Sequence, residues 1–299
     1  MSRKEFTKAA ETCRDTFHGP DCKTVWESTV VQFAEFLQLQ TLSSHIPTKN
    51  PQLSPQMYEK VLMDFLKNDL DGLLQLIKTW PSSIYNIKGI IDAVEIYLGS
   101  SETTTTANDS KPILYEILAE LYELNRQVDK AIYYSLLLNR KDQADRIEKE
   151  NLFSFLKGNV LLVMNYALYQ TKKRLLEESK SGDPTPVQMT RATSKSKEVT
   201  LLILHQEYVS VDHCVSSLKQ TPKLLHIYLD ALFSASSDPS GPTLVTSNTT
   251  TSNVSVHDLQ VPLYAEYDPT RLIEFLRTAS YFSYPQVSRR IPKHSSHHL

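Results

Sequence analysis

Apolar residues recur at helical spacing along nearly the whole chain, and that pattern leaves little room for another architecture. Met57, Tyr58, Val61, Leu62, Phe65 and Leu66 follow an i, i+1, i+4, i+5, i+8, i+9 pattern, one face of a helix. Ile113, Leu114, Ile117, Leu118, Leu121 and Tyr122 repeat it, as do Leu224, Leu225, Tyr228, Leu229, Leu232 and Phe233. No stretch sustains period-two alternation, so the chain is expected to be all-α.

Glycine is scarce. The seven glycines in 299 residues lie far apart, and no GxGxxG or P-loop can be written. Phosphate-cradling loops need glycine where the backbone approaches the ligand, which excludes nucleotide-binding folds of that kind. A formal charge of −2 gives no basic stripe for nucleic acid. The opening MSRKEFTKAAETC lacks the apolar run of a signal peptide, and Val160–Met164 and Leu201–Leu204 are too short to span a bilayer. The expectation is a cytosolic protein.

Helices are expected at Pro55–Lys67, Leu70–Thr79, Ile84–Leu98, Lys111–Leu124 and Val128–Leu138. Ser54-Pro55, Thr221-Pro222 and Asp268-Pro269 share one start signal, a capping oxygen before a proline whose missing N–H costs nothing there. Leu53 with Tyr58, and Tyr267 with Leu272, offer hydrophobic staples. Small Ala119 and Ala131, either side of the turn Asn125-Arg126-Gln127, suit a tetratricopeptide-like hairpin. The irregular period predicts an α-solenoid of helix hairpins with flexible Ser/Thr-rich insertions. Helical residues are expected over 1–98, 111–178, 197–233 and 259–284; flexible segments over 99–110, 179–196 and 234–258; and a disordered tail over 285–299.

Candidate chemistry is sparse. His213-Cys214 is the one adjacent His/Cys pair, but neighbours on a helix point about 100° apart, so adjacency makes no dyad. Cys214 shares an apolar face with Val211, Val215 and Leu218 and reads as a buried thiol. Cys13, His18 and Cys22 do not match zinc spacing, and His294, His297 and His298 lack a carboxylate or thiol beside them. The sequons at Asn108, Asn248 and Asn253 fall in Ser/Thr/Asn-rich stretches and read as chance. No catalytic, cofactor-binding or metal residue is assigned, and no cofactor is expected.

Four strings are more particular: DFLKNDLDGLLQLIKTWPSSIYN at 64–86, NLFSFLKGNVLLVM at 151–164, PKLLHIYLDALF at 222–233 and LYAEYDPTRLIEFLRT at 263–278. In this order they resemble the vacuolar protein sorting-associated protein 41 family, subunits of the HOPS tethering complex. That resemblance runs from about Glu5 to Ser283. It implies the central solenoid, with a clathrin heavy-chain repeat, of proteins that also carry a WD40-type propeller and a RING-like zinc end. The chain is therefore expected to be a fragment, from a partial gene model or a short form, without the Rab, membrane or ubiquitin-type functions lodged in those ends. The implied role is a non-enzymatic assembly subunit in vesicle trafficking and fusion. It would sit on the cytosolic face of late endosomes, lysosomes or vacuoles. Other HOPS subunits are the implied partners, with self-association and the adaptor complex of the direct lysosomal pathway beside them. The alternative is an independent helical-repeat adaptor that binds peptides or helices.

Overall fold

The computed structural model describes residues 3–101, 107–178, 183–236, 250–251 and 254–278. They form an all-α solenoid of helix hairpins, divided along the chain into unit 1 (Met1–Leu138) and unit 2 (Asn139–Leu299). A two-residue antiparallel pairing of Thr250–Thr251 with Val254–Ser255 is the one strand pair among the described residues.

Unit 1 contains α1 (Arg3–Thr16), α2 (Lys23–Glu35), α3 (Leu39–Ser43), α4 (Pro55–Asn68), α5 (Leu70–Thr79), α6 (Ile87–Ser101), α7 (Ala107–Leu124) and α8 (Val128–Leu137). One apolar cluster runs through it from Phe6 to Ala131. The first particular string has a packing explanation. Asp69 caps α5 by accepting from the Gly72 N–H at 2.9 Å. A Cβ at Gly72 would collide with the Asp69 carboxylate and stand 2.5 Å from the Phe65 ring, so this helical glycine is required by close approach. Trp80 stops α5 and packs edge-on against Tyr58 at 5.4 Å. The Tyr58 hydroxyl donates to the Pro47 carbonyl at 2.7 Å and accepts from the Leu53 N–H at 3.0 Å, tightening the expected staple.

Both Ala119 and Ala131 are fully buried where α7 meets α8. The turn between them puts Arg126 at φ 58°, with the Gln127 N–H bonded to the Tyr122 carbonyl. The same closure follows α2, with Leu37 at φ 55° and the Gln38 N–H on the Phe33 carbonyl. This is a Schellman ending made without its usual glycine, at roughly 1–2 kcal/mol of backbone strain each.

Unit 2 contains α9 (Gln143–Lys149), α10 (Phe153–Gly158), α11 (Val160–Glu178), α12 (Pro186–Ser194), α13 (Lys197–Leu204), α14 (Val211–Leu218), α15 (Pro222–Ser236), α16 (Val256–Tyr267) and α17 (Pro269–Thr278). Here the expected flexible segment 179–196 is corrected. Residues 186–194 form α12, which starts on a full capping box between Thr185 and Gln188 and buries Met189, Thr190, Thr193 and Ser194. A face made mostly of threonine and serine escapes a reading based on apolar residues, yet each of these hydroxyls has a bond. Those of Thr190 and Thr193 return to carbonyls one turn back, and that of Ser194 to the Arg191 carbonyl.

Smaller corrections follow the same logic. Helix α6 extends to Ser101 and α7 begins at Ala107, so only 102–106 of the expected loop 99–110 lie outside the described residues. Helix α6 begins at Ile87 rather than Ile84, because Ile84 and Tyr85 are buried in the preceding turn. Helix α15 runs to Ser236 and α16 starts at Val256, inside the expected insertion 234–258, whose middle is outside the described residues. The segment at 279–299, including the expected tail and its histidines, also lies outside them. Of the three expected cap oxygens, that of Ser54 bonds no N–H of its helix, and the other two engage further partners. Thr221 donates back to the Leu218 carbonyl, and Asp268 is held by a guanidinium.

Candidate functional site

The string LYAEYDPTRLIEFLRT spans the end of α16 and all of α17, and its polar residues converge on one buried network. Two helical stripes set it up. His226 and Asp230 lie one turn apart on α15; Gln260 and Tyr264 lie one turn apart on α16, and Asp268 follows at the next turn. All five are buried.

Arg191, on α12, grips Asp268 as a fork, with Nε to Oδ2 at 2.6 Å and Nη2 to Oδ1 at 2.8 Å. The Thr270 hydroxyl donates to Asp268 Oδ1 at 2.7 Å. Asp230 Oδ1 accepts from Arg271 Nη1 and from the Tyr264 hydroxyl, each at 2.6 Å. Gln260 Nε2 lies 2.9 Å from His226 Nδ1, and the His226 ring stacks on Tyr267 at 5.7 Å. Three consecutive helices and the more distant α12 thus share one set of charges. Beside it, Phe275 packs on Tyr264 and Phe233 at 4.9 and 5.1 Å, in a small apolar cluster with Val261.

Burial alone would raise the Asp268 carboxyl, but hydrogen bonds from Arg191 and Thr270 override it and hold it below the usual carboxylate range. Burial pushes the Tyr264 phenol well above its usual range, and the Asp230 charge adds to this, so Tyr264 stays a donor. Burial lowers His226 against the opposing pull of Asp230, so a neutral ring is favoured at neutral pH. Such a network holds helices in register. Its donors are spent within it, while Asp230 Oδ2 and Gln260 Oε1 are buried without a hydrogen-bond partner among the described residues.

The residues singled out by the sequence are dispersed. Cys214 is fully buried on α14 with Val211, Val215 and Leu218 around it; burial pushes its thiol up to about 11, so it is no nucleophile at neutral pH. His213 turns away, its Nε2 2.7 Å from the Lys157 carbonyl. The Cys22 thiol donates to the His18 carbonyl, and His18 Nε2 lies 2.9 Å from the Asp15 carbonyl. Asn108 falls within α7, whereas Asn248 and Asn253 are outside the described residues. Arg191, Asp230 and Gln260 carry no local signal of their role. Arg191 lies 77 positions from Asp268, in a segment expected to be loop.

The family model of the Vps41 TPR-like region matches residues 1–291. A curated vacuolar protein sorting-associated protein 41 homolog from Danio rerio is 31% identical over 277 residues, covering 93% of this chain and 27% of the relative. The Arabidopsis thaliana homolog is 30% identical over 286 residues, 93% of this chain and 25% of that protein. The protein of this name from Schizosaccharomyces pombe is 24% identical over 258 residues, 86% and 25% of the two chains. The chain thus spans about a quarter of the length of these relatives. No solved structure matches it.

Proposed function

The chain belongs to the Vps41 TPR-like region family, and from that premise we propose that it is a non-enzymatic assembly module of a HOPS-type tethering complex. The match of the family model over residues 1–291 carries this reading. The physical character of the chain agrees with it. Stacked helix hairpins offer a long surface with many places for partner contacts, stable without a cofactor. The buried network fixes α12, α15, α16 and α17 in register, as a scaffold presenting fixed surfaces requires. Among the described residues no helix is long and apolar enough to cross a membrane, so partners would bring the module to the surface of late endosomes, lysosomes or vacuoles.

The partners proposed are the other vacuolar sorting subunits. Self-association through the clathrin-type repeat and contact with the adaptor complex of the direct lysosomal pathway come second. Affinity purification of a tagged copy from its own cells tests the reading. Recovery of the remaining HOPS subunits is the expected result. Chaperones and scattered clients in their place would indicate a peptide-binding adaptor, and recovery of neither would sink both.

A further inference from the structure

A cavity of about 330 Å³ in unit 2 opens between the start of α9, the C-terminal half of α11 and the start of α13. Lys141, Lys173, Arg174 and Lys195 line it, and none of the four makes an ion pair among the described residues. Lys197, on the same wall, is held by Asp145 and by Glu148, the latter at 2.6 Å.

The start of α13 supplies the second observation. Ser196 occupies the N-cap position at φ −72° and ψ 155°, yet its hydroxyl makes no cap bond. Residue Ser196 is 7% exposed, lines the cavity, and its Oγ has no hydrogen-bond partner among the described residues. A buried hydroxyl without a partner is uncommon, because leaving it so costs about 1–3 kcal/mol. The first N–H groups of α13 likewise receive no side-chain cap. Unsatisfied donors at a helix N-terminus, beside four unpaired cations, form a receptor for a group with several anionic oxygens.

We propose that this cavity receives the phosphorylated side chain of a partner polypeptide. The phosphoryl group follows from the donors. The polypeptide carrier rests on the assembly role proposed above and on the sign of the rim. Asp142, Glu177 and Glu198 share the wall with the lysines. Those carboxylates oppose a continuous anionic lipid surface but suit a single dianion flanked by basic residues. The lining also offers no large aliphatic side chain for insertion into a bilayer.

The test uses the whole 299-residue chain and a fluorescein-labelled peptide, Lys-Gly-phosphoserine-Gly-Lys, read by fluorescence anisotropy. Its unphosphorylated twin, inorganic phosphate and phosphatidylserine-containing vesicles serve as comparisons. Saturable binding of the phosphopeptide, at least about tenfold tighter than the twin and inorganic phosphate, is expected. Arg174→Ala and Lys195→Ala, exposed positions checked for an unchanged helical spectrum, should each weaken it about tenfold. Ser196→Asp should abolish binding by placing a carboxylate on the same donors while leaving the fold intact. Equal binding of the two peptides would overturn the proposal, as would binding undiminished in all three variants or capture by vesicles alone. Inorganic phosphate competing as well as the phosphopeptide would remove the polypeptide partner. Because purified protein is used, a failed recovery of HOPS subunits from cells leaves these outcomes unchanged, and the two failures are distinguishable.

Discussion

In unit 1 an apolar cluster runs from Phe6 to Ala131, whereas unit 2 adds buried charge to its own buried apolar residues. Among the described residues, the buried polar side chains of unit 1 are Thr29, Ser43 and Ser135, all small and uncharged. Unit 2 buries His226, Asp230, Asp258, Gln260 and Asp268. The same hairpin geometry is therefore specified in two ways. Apolar packing is non-directional and rewards volume, while hydrogen-bonded charge is directional and fixes which residue faces which. That distinction predicts that unit 1 responds to lost volume and unit 2 to lost partners.

The largest expected effect lies in unit 1. Trp26 is 1% exposed, and Trp26→Ala should cost about 3–5 kcal/mol through the cavity left behind, read as a lower denaturation midpoint. A loss under about 1 kcal/mol would show that the apolar cluster does not hold unit 1 as described. In unit 2, Arg271→Met leaves Asp230 buried without its cation. A third of the arginine is exposed, so the expected cost is about 2–3 kcal/mol, below that of a wholly buried pair. Pairing it with Asp230→Asn should recover much of that loss. A double variant no better than the single would mean that the two side chains are not coupled.

How much of this could be read beforehand follows the same division. The helices of unit 1 announce themselves by apolar period, and Asp69 and Gly72 stand in a recognisable string. The LYAEYDPTRL string of unit 2 was visible as a family feature, but its contacts were not. Arg191 and Asp230 reach it from other helices, Gln260 stands just ahead of it on α16, and pairing across 77 positions leaves no local trace. Helix α12 was lost because its buried face is hydroxyl-rich, although Thr185-Pro-Val-Gln188 carries the spacing of a capping box. The expected cap at Ser54 is absent, and at Thr221 and Asp268 the side-chain oxygen engages another partner that no local pattern announces, at Asp268 a guanidinium.

Two smaller effects sharpen the comparison. Thr185→Ala removes one half of the capping box on α12 and should cost about 1 kcal/mol, visible as faster amide exchange in Pro186–Ser194. Unchanged exchange there would separate α12 from its cap. Acidification should act on unit 2 through His226 and His257, both of whose folded values are lowered by burial. An unfolded histidine titrates near about 6.5, so this contribution is present above that value and is lost as pH falls toward the lower folded values. Amide exchange compared at about pH 7.5 and about pH 5.5, corrected for intrinsic rates, should show protection falling around α15 and α16. Protection that holds or rises there would contradict the burial of these rings.

The central claim is that this helical chain is an assembly surface. The most direct measurement mixes the purified chain with the other HOPS subunits, prepared without their own Vps41 subunit, and follows the mixture by size-exclusion chromatography with light scattering. The account predicts co-elution at the summed mass, persisting in the Cys214→Ser variant because that thiol is buried away from any partner surface. Separate elution of a folded, monodisperse chain would contradict it.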